Sequence, residues 1–123
     1  MDKKAQSYKD LIVWQKGIEA AKLVYRLTTT LPSDEKFGLI SQMRRASVSV
    51  PSNIAEGQAR HTTGEFIQFI SHAEGSVAEL DTQLVLAQEL GFCRSQDVAS
   101  VSQLLEEIRK MLNSLRRKLS ASR

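Results

Sequence analysis

The sequence predicts an all-α protein, an up-down-up-down antiparallel four-helix bundle whose second helix is kinked at a proline. Three observations lead there. Apolar residues recur at spacings of three and four through four segments, helix-start and helix-stop residues bracket those segments, and the connections between them are short. With 123 residues, 41% apolar and 25% charged, the chain suits one hydrophobic core, so residues 1–123 are expected to form a single domain. Its ordered part should run from about residue 8 to residue 119, with Met1 to Gln6 and Ser120 to Arg123 fraying.

The first helix is expected to start near Ser7, which stands three residues before Asp10 as an N-cap stands before a first-turn acid. Leu11, Trp14, Ile18, Ala21 and Tyr25 then share one face. A second set, Val13, Ala20, Val24, Leu27 and Leu31, widens the apolar surface beyond what one neighbour covers, and Pro32 ends the helix. Ser33 is the expected N-cap of the second helix, with Asp34 and Glu35 answering the positive end of its dipole. Leu39, Met43, Ala46, Val50 and Ile54 carry its period.

Pro51 must either kink or split that helix, because it deletes a backbone hydrogen bond and crowds the preceding turn. Ile54 and Ala55 continue the apolar period beyond it, and Ser47 and Ser49 are small, which favours a kink. Gly57 is a possible stop. In the third helix, Thr62 and Glu65 have capping-box spacing, Phe66, Phe69, Ala73, Val77, Leu80, Leu84 and Ala87 form the main stripe, and Gly91 is the expected end. Ile67, Ile70, Ala78, Val85 and Leu86 flank that stripe. Ser95 is the expected cap of the fourth helix, where Val98, Val101, Leu105, Ile108, Leu112, Leu115 and Leu119 alternate steps of three and four without interruption.

Composition narrows the function classes. The first ten residues contain no apolar run suited to a secretory leader, and no apolar stretch is longer than that of Leu11 to Trp14, which is too short for a membrane span. A single cysteine, Cys93, forms no internal disulfide, and the expected location is cytoplasmic. Neither His61 nor His72 has a glutamate three residues earlier, so the di-iron pattern of bundles fails, and two histidines and one cysteine are too few for a zinc site. No phosphate loop, nucleophile elbow or dinucleotide fingerprint occurs. The expectation is a non-enzymatic protein with no catalytic residue, metal or cofactor.

Two polar features remain. Arg45, Asn53 and Glu56 fall within the apolar pattern of the second helix, as a structural polar network would, while Arg44 and Arg45 could instead contact RNA. For Asn53 and Glu56 the structural role is favoured; for Arg44 the two are balanced. The net charge of +3 is unevenly placed: residues 1–108 hold 11 Lys and Arg against 14 Asp and Glu, whereas residues 109–123 hold six Lys and Arg and no acid. Arg109, Arg116 and Arg123 are seven apart, as are Lys110 and Arg117, so they should form an outward ridge able to neutralise successive phosphates. Cations near a helix C-terminus also meet its dipole, which accounts for one or two of them more easily than for all.

The runs Leu11 to Lys16, Phe37 to Ala46, Ser49-Val50-Pro51-Ser52-Asn53-Ile54-Ala55-Glu56-Gly57, Glu65-Phe66 and Gly75 to Leu80 resemble the 23S rRNA intervening-sequence protein family, from about Tyr8 to Leu119. That resemblance implies a four-helix bundle with a proline inside its second helix. It also implies a cyclic homopentamer, for which the flanks of the first and third helices would supply two different contact faces. Members are encoded within insertions in ribosomal RNA genes, and a similar fold serves as a basic accessory to reverse transcriptases. No catalytic residue carries over. The expected function is an oligomeric RNA-binding protein acting through Arg44, Arg45 and Arg60 and through Arg109, Lys110, Arg116, Arg117 and Lys118, with a protein-binding scaffold as the alternative.

Overall fold

A computed structural model describes residues 7–122. Four helices carry the fold: α1 Ile12–Thr28, α2 Leu39–Gln58, α3 Thr63–Glu89 and α4 Ser95–Ala121. Two short 3-10 turns, Tyr8–Asp10 and Ser33–Glu35, precede α1 and α2, and no strand occurs among the described residues. Successive helices pack against each other and α4 closes onto α1, leaving α1 diagonal to α3 and α2 diagonal to α4. The short links make neighbours antiparallel. None of these helices is long and apolar enough to cross a membrane.

Ser7 caps as expected, but it caps the 3-10 turn. Its hydroxyl accepts from the Lys9 amide while the Asp10 carboxylate accepts from the Ser7 amide. The α-helix proper begins five residues later, tied to the turn by the Gln15 side chain donating to the Lys9 carbonyl. It also ends before Pro32. The hydroxyls of Thr28, Thr29 and Thr30 donate to the carbonyls of Val24, Arg26 and Leu27, adding side-chain donors to the backbone at the end of the helix.

The two apolar sets of α1 exchange roles. Val13, Ala20, Val24, Leu27 and Leu31 are the core, whereas Ile18 and Tyr25 are exposed and Leu11, Trp14 and Ala21 only partly covered. Gly17 explains the geometry: a Cβ there would lie 3.3 Å from the Pro51 side chain, so α2 approaches α1 at that point and turns the Val24 face inward.

The second helix starts six residues after Ser33. Gly38 has φ −110° and ψ −111°, which interrupts helical geometry between the turn and α2. Glu35, not Ser33, caps α2, its carboxylate accepting the Leu39 amide at 3.2 Å. From Leu39 the helix runs unbroken through Pro51 to Gln58, which excludes a split. Gly57 does not stop it. A Cβ on Gly57 would stand 2.8 Å from Phe66 and 2.9 Å from Phe69, so this glycine lets α2 and α3 meet closely.

At the start of α3 the Thr62 hydroxyl accepts from the Glu65 amide, but the Glu65 carboxylate takes the Thr62 hydroxyl proton instead of the Thr62 amide. Half of the expected box therefore forms. Gly91 ends α3 at φ +77°, with the Gly91 amide donating to Gln88 and the Phe92 amide to Ala87, the paired closure of a Schellman turn. Ser95 is the first residue of α4 and not its cap; the Asp97 carboxylate instead accepts the Arg94 amide and the Arg94 Nε.

The core follows the predicted stripes of α2 and α4 closely, but in α3 Ile70, expected on the flank, is fully buried while Phe66 and Phe69 of the expected stripe are only partly covered. Met43, Val50, Ile54, Leu80, Leu84, Leu105, Ile108 and Leu112 are nearly inaccessible, and each contributes on the order of 1.5–3 kcal/mol by leaving water. Leu115 and Leu119 are only partly covered. At the carboxyl end α4 stays helical through Ser120 and Ala121, where fraying was expected; Met1 to Gln6 and Arg123 lie outside the described residues.

Candidate nucleic-acid interface

The cations expected to meet RNA divide into a committed group and a free group. Arg44 is committed. Its Nε donates to the buried Thr28 hydroxyl at 2.8 Å, its Nη2 to the Tyr25 carbonyl at 3.4 Å, and its guanidinium lies 4.6 Å from the centre of the Tyr25 ring. It straps the top of α2 to the end of α1. Arg60, just past α2, stacks on Phe69 at 4.6 Å and stands 3.9 Å from Glu56. Arg45 is exposed and makes no hydrogen bond or ion pair among the described residues.

The expected network of Arg45, Asn53 and Glu56 is not assembled. Asn53 donates to the Ser49 carbonyl and hydroxyl, and Ser49 in turn meets Ser76 of α3 at 2.8 Å. This half-buried chain joins α2 to α3 through two serines, whose small hydroxyls the apolar pattern does not single out. Glu56 faces solvent beside Arg60.

On α4 the ridge is discontinuous. Arg109 pairs with Glu106 one turn earlier, its Nε 3.0 Å from Oε2, and this pair holds the Glu106 carboxyl below its usual range and the Arg109 guanidinium above its own. Around Arg109 the groove between α3 and α4, about 180 Å³, is lined also by Glu74 and Asp81, an acidic setting unsuited to a phosphate. Arg116 reaches across to Glu74 of α3: its Nη2 donates to the carboxylate at 3.3 Å and to Asn113 at 2.9 Å. Its Nε lies 3.2 Å from the other carboxylate oxygen but off the hydrogen-bond direction, so that contact is ionic only. Lys110, Arg117 and Lys118 are exposed and form no ion pair among the described residues, although Lys110, one turn from Glu106, adds to Arg109 in lowering that carboxyl. Arg123 lies outside them.

Sequence periodicity put all of these cations on one helix but could not see across to α3. The antiparallel register would have helped. Folding α3 back on α4 about the Gly91 turn sets Glu74 opposite the far end of α4, and the same logic across α1 and α4 sets Lys16 beside Glu107, a 2.7 Å ion pair.

A groove of about 780 Å³ lies between the end of α1 and the turn from α3 to α4, where Arg26, Cys93, Arg94 and Asp97 line it. Burial, with Asp97 nearby, pushes the Cys93 thiol up, so it stays protonated and is a poor nucleophile.

Comparison with known proteins agrees with this architecture. A crystal structure at 1.70 Å of a protein of unknown function from the S23 ribosomal protein family of Bacteroides thetaiotaomicron superposes with a TM-score of 0.78 and 25% identity, over 84% of this chain and 96% of that one. No curated protein sequence matches the chain. Residues 9–114 match the family model for the 23S rRNA-intervening sequence protein, a span that takes in α1, α2, α3 and most of α4. Shared topology and a sequence match across all four helices make the chain a member of the 23S rRNA-intervening sequence protein family.

Proposed function

We propose that this protein is a non-enzymatic, self-assembling bundle that binds structured RNA through the carboxyl-terminal half of α4. The observation that carries the reading is the trio Lys110, Arg117 and Lys118, exposed and outside any ion pair among the described residues, in a stretch, residues 109–122, that contains no acid. Lys110 and Arg117 are two turns apart on one face and Lys118 flanks them, a spacing that lets successive phosphates be met without moving the backbone. Binding of this kind draws its free energy from released counterions. The family's description, which names a 23S rRNA intervening sequence, supports RNA as the ligand class. The assembly is a homopentamer on the strength of the family resemblance, and the site of action is the cytoplasm.

A protein-binding scaffold is the second reading. It is favoured by the internal commitment of Arg44, Arg60, Arg109 and Arg116 and by large apolar side chains left in solvent on α1, α2 and α3. Titration of ribosomal RNA fragments separates the two. The RNA reading expects affinity that falls steeply with salt and drops about tenfold or more in the Lys110→Ala, Arg117→Ala, Lys118→Ala variant. Equal affinity of variant and parent, together with protein partners that co-purify through nuclease and high salt, would establish the scaffold instead.

A further inference from the structure

Where α2 hands over to α3, three side chains stack into a column. Arg60, between the two helices, lies with its guanidinium 4.6 Å from the centre of the Phe69 ring, and the His72 imidazole meets the same ring edge to face at 5.8 Å, the planes 78° apart. Phe69 and His72 are one turn apart on α3 and share a face. The Phe69 ring is partly covered, whereas His72 is exposed and the Arg60 side chain keeps 44% of its surface in water. The close approach at Gly57 of α2, where a Cβ would stand 2.9 Å from that of Phe69, fixes the base of the column.

Two acids stand beside it. Glu56 lies 3.9 Å from Arg60, and Glu65, one turn before Phe69, accepts the Thr62 hydroxyl at 2.8 Å. Carboxylates repel a phosphate, which removes Arg60 from the phosphate-binding set, but they do not repel an uncharged nucleobase. Unpaired bases stack on aromatic rings, imidazoles and guanidinium planes, and such stacking tolerates any sequence because every base has a π face. The Arg60 guanidinium makes no hydrogen bond among the described residues, so its far side stays available. Arg44, also 4.6 Å from a ring, differs: its Nε and Nη2 both donate to α1.

Position ties the column to the cations of α4. Arg116 meets Glu74, and α3 and α4 run antiparallel, so His72 and Phe69 stand level with Lys118 and Ala121 along the bundle. Phe69 faces α2 and Glu74 faces α4, which separates column and cations by α3, a helix roughly 10–12 Å across. A short run of unpaired nucleotides spans such a distance. Between Glu65 and Glu74 the exposed residues of α3 are Gln68, Ser71 and His72, all without a carboxylate.

We infer that Arg60, Phe69 and His72 form a stacking site for an unpaired base of the RNA whose phosphates α4 holds, the base lying on the guanidinium face turned away from Phe69. The inference rests on the RNA reading above and narrows its ligand. The preferred RNA is a stem with an unpaired nucleotide beside it, in a loop or a bulge, over an uninterrupted duplex whose bases are stacked on one another. Selection is for an unpaired base and not for a sequence.

A hairpin RNA with a fluorescent adenine analogue in its loop, compared with a blunt duplex of the same stem, tests the site. The parent should bind the hairpin more tightly and quench the analogue. Arg60→Lys keeps the charge and removes the plane, so it should abolish the quenching and weaken hairpin binding about tenfold, with duplex affinity and salt slope unchanged. His72→Ala, at an exposed position, should weaken the hairpin alone by about threefold. Circular dichroism verifies the fold of both variants. The Lys110→Ala, Arg117→Ala, Lys118→Ala variant should instead weaken both RNAs. Undiminished quenching and hairpin affinity in both column variants would overturn the stacking site and leave the phosphate site standing. Equal losses on hairpin and duplex from Arg60→Lys would make Arg60 a phosphate contact and overturn it as well. A parent that binds neither RNA would overturn the RNA reading and the stacking site together.

Discussion

Gly57 carries a constraint that its neighbours do not reveal. In the sequence it stands near the end of an apolar run and looks like a helix stop, the role that Gly91 does fill with its positive φ. Gly57 instead sits inside α2 with two phenylalanines of α3 within 2.9 Å of where a Cβ would be, and only the three-dimensional approach of the helices distinguishes the two uses. Gly57→Ala should therefore force α2 and α3 apart and cost about 1–3 kcal/mol. A urea titration would show this as a lower midpoint at unchanged slope; an unchanged midpoint would mean the helices are not held this close. Arg44 makes the same point for charge. Beside Arg45 in sequence it looks like half of a basic pair, yet its length and planar donors suit the Thr28 hydroxyl and the Tyr25 ring, so one of the two arginines is structural and the other faces water.

Among the helices, α2 and α4 were the most legible because most of their core positions hold large apolar residues, whereas the start of α3 was read one residue off, with Phe69 taken for the core in place of Ile70. α1 was the least legible. Its inward face includes Gly17 and Ala20, which add little to an apolar pattern, whereas its outward face holds Trp14, Ile18 and Tyr25 and so has the stronger stripe. Helix starts were legible to within a turn or two, but side chains outside the expected positions, Glu35 for α2 and Asp97 for α4, make the caps. Asp97 also makes stability depend on pH. Hydrogen bonds from the Arg94 side chain and amide hold its carboxyl below the usual range, while the unfolded chain keeps the ordinary value of about 3.9. A carboxyl depressed by folding stabilises the fold above its unfolded value, and that contribution disappears as pH falls through the folded value. Glu106 acts with the same sign through Arg109. Asp97→Asn should lower the urea midpoint at neutral pH and flatten its decline below about pH 4. A variant with the parent's acid dependence would place the effect elsewhere.

Over the whole molecule, charge is sorted by helix. α3 is acidic and half-engaged with α4, and the far half of α4 keeps Lys110, Arg117 and Lys118 in water. The sequence showed the excess of cations at its carboxyl end but not which were already neutralised, because pairing depends on the register between α3 and α4. That division is the centre of the account, and the salt dependence of RNA affinity measures it directly. Plotted as the logarithm of affinity against the logarithm of salt concentration, the slope should shrink by roughly 0.7–0.9 for each phosphate that is no longer neutralised. Lys110→Ala, Arg117→Ala and Lys118→Ala together should reduce it accordingly, and removing both members of the Glu106–Arg109 pair should leave it unchanged. Equal reductions from the two variants, or none from the first, would contradict the assignment of α4 as the RNA-binding surface.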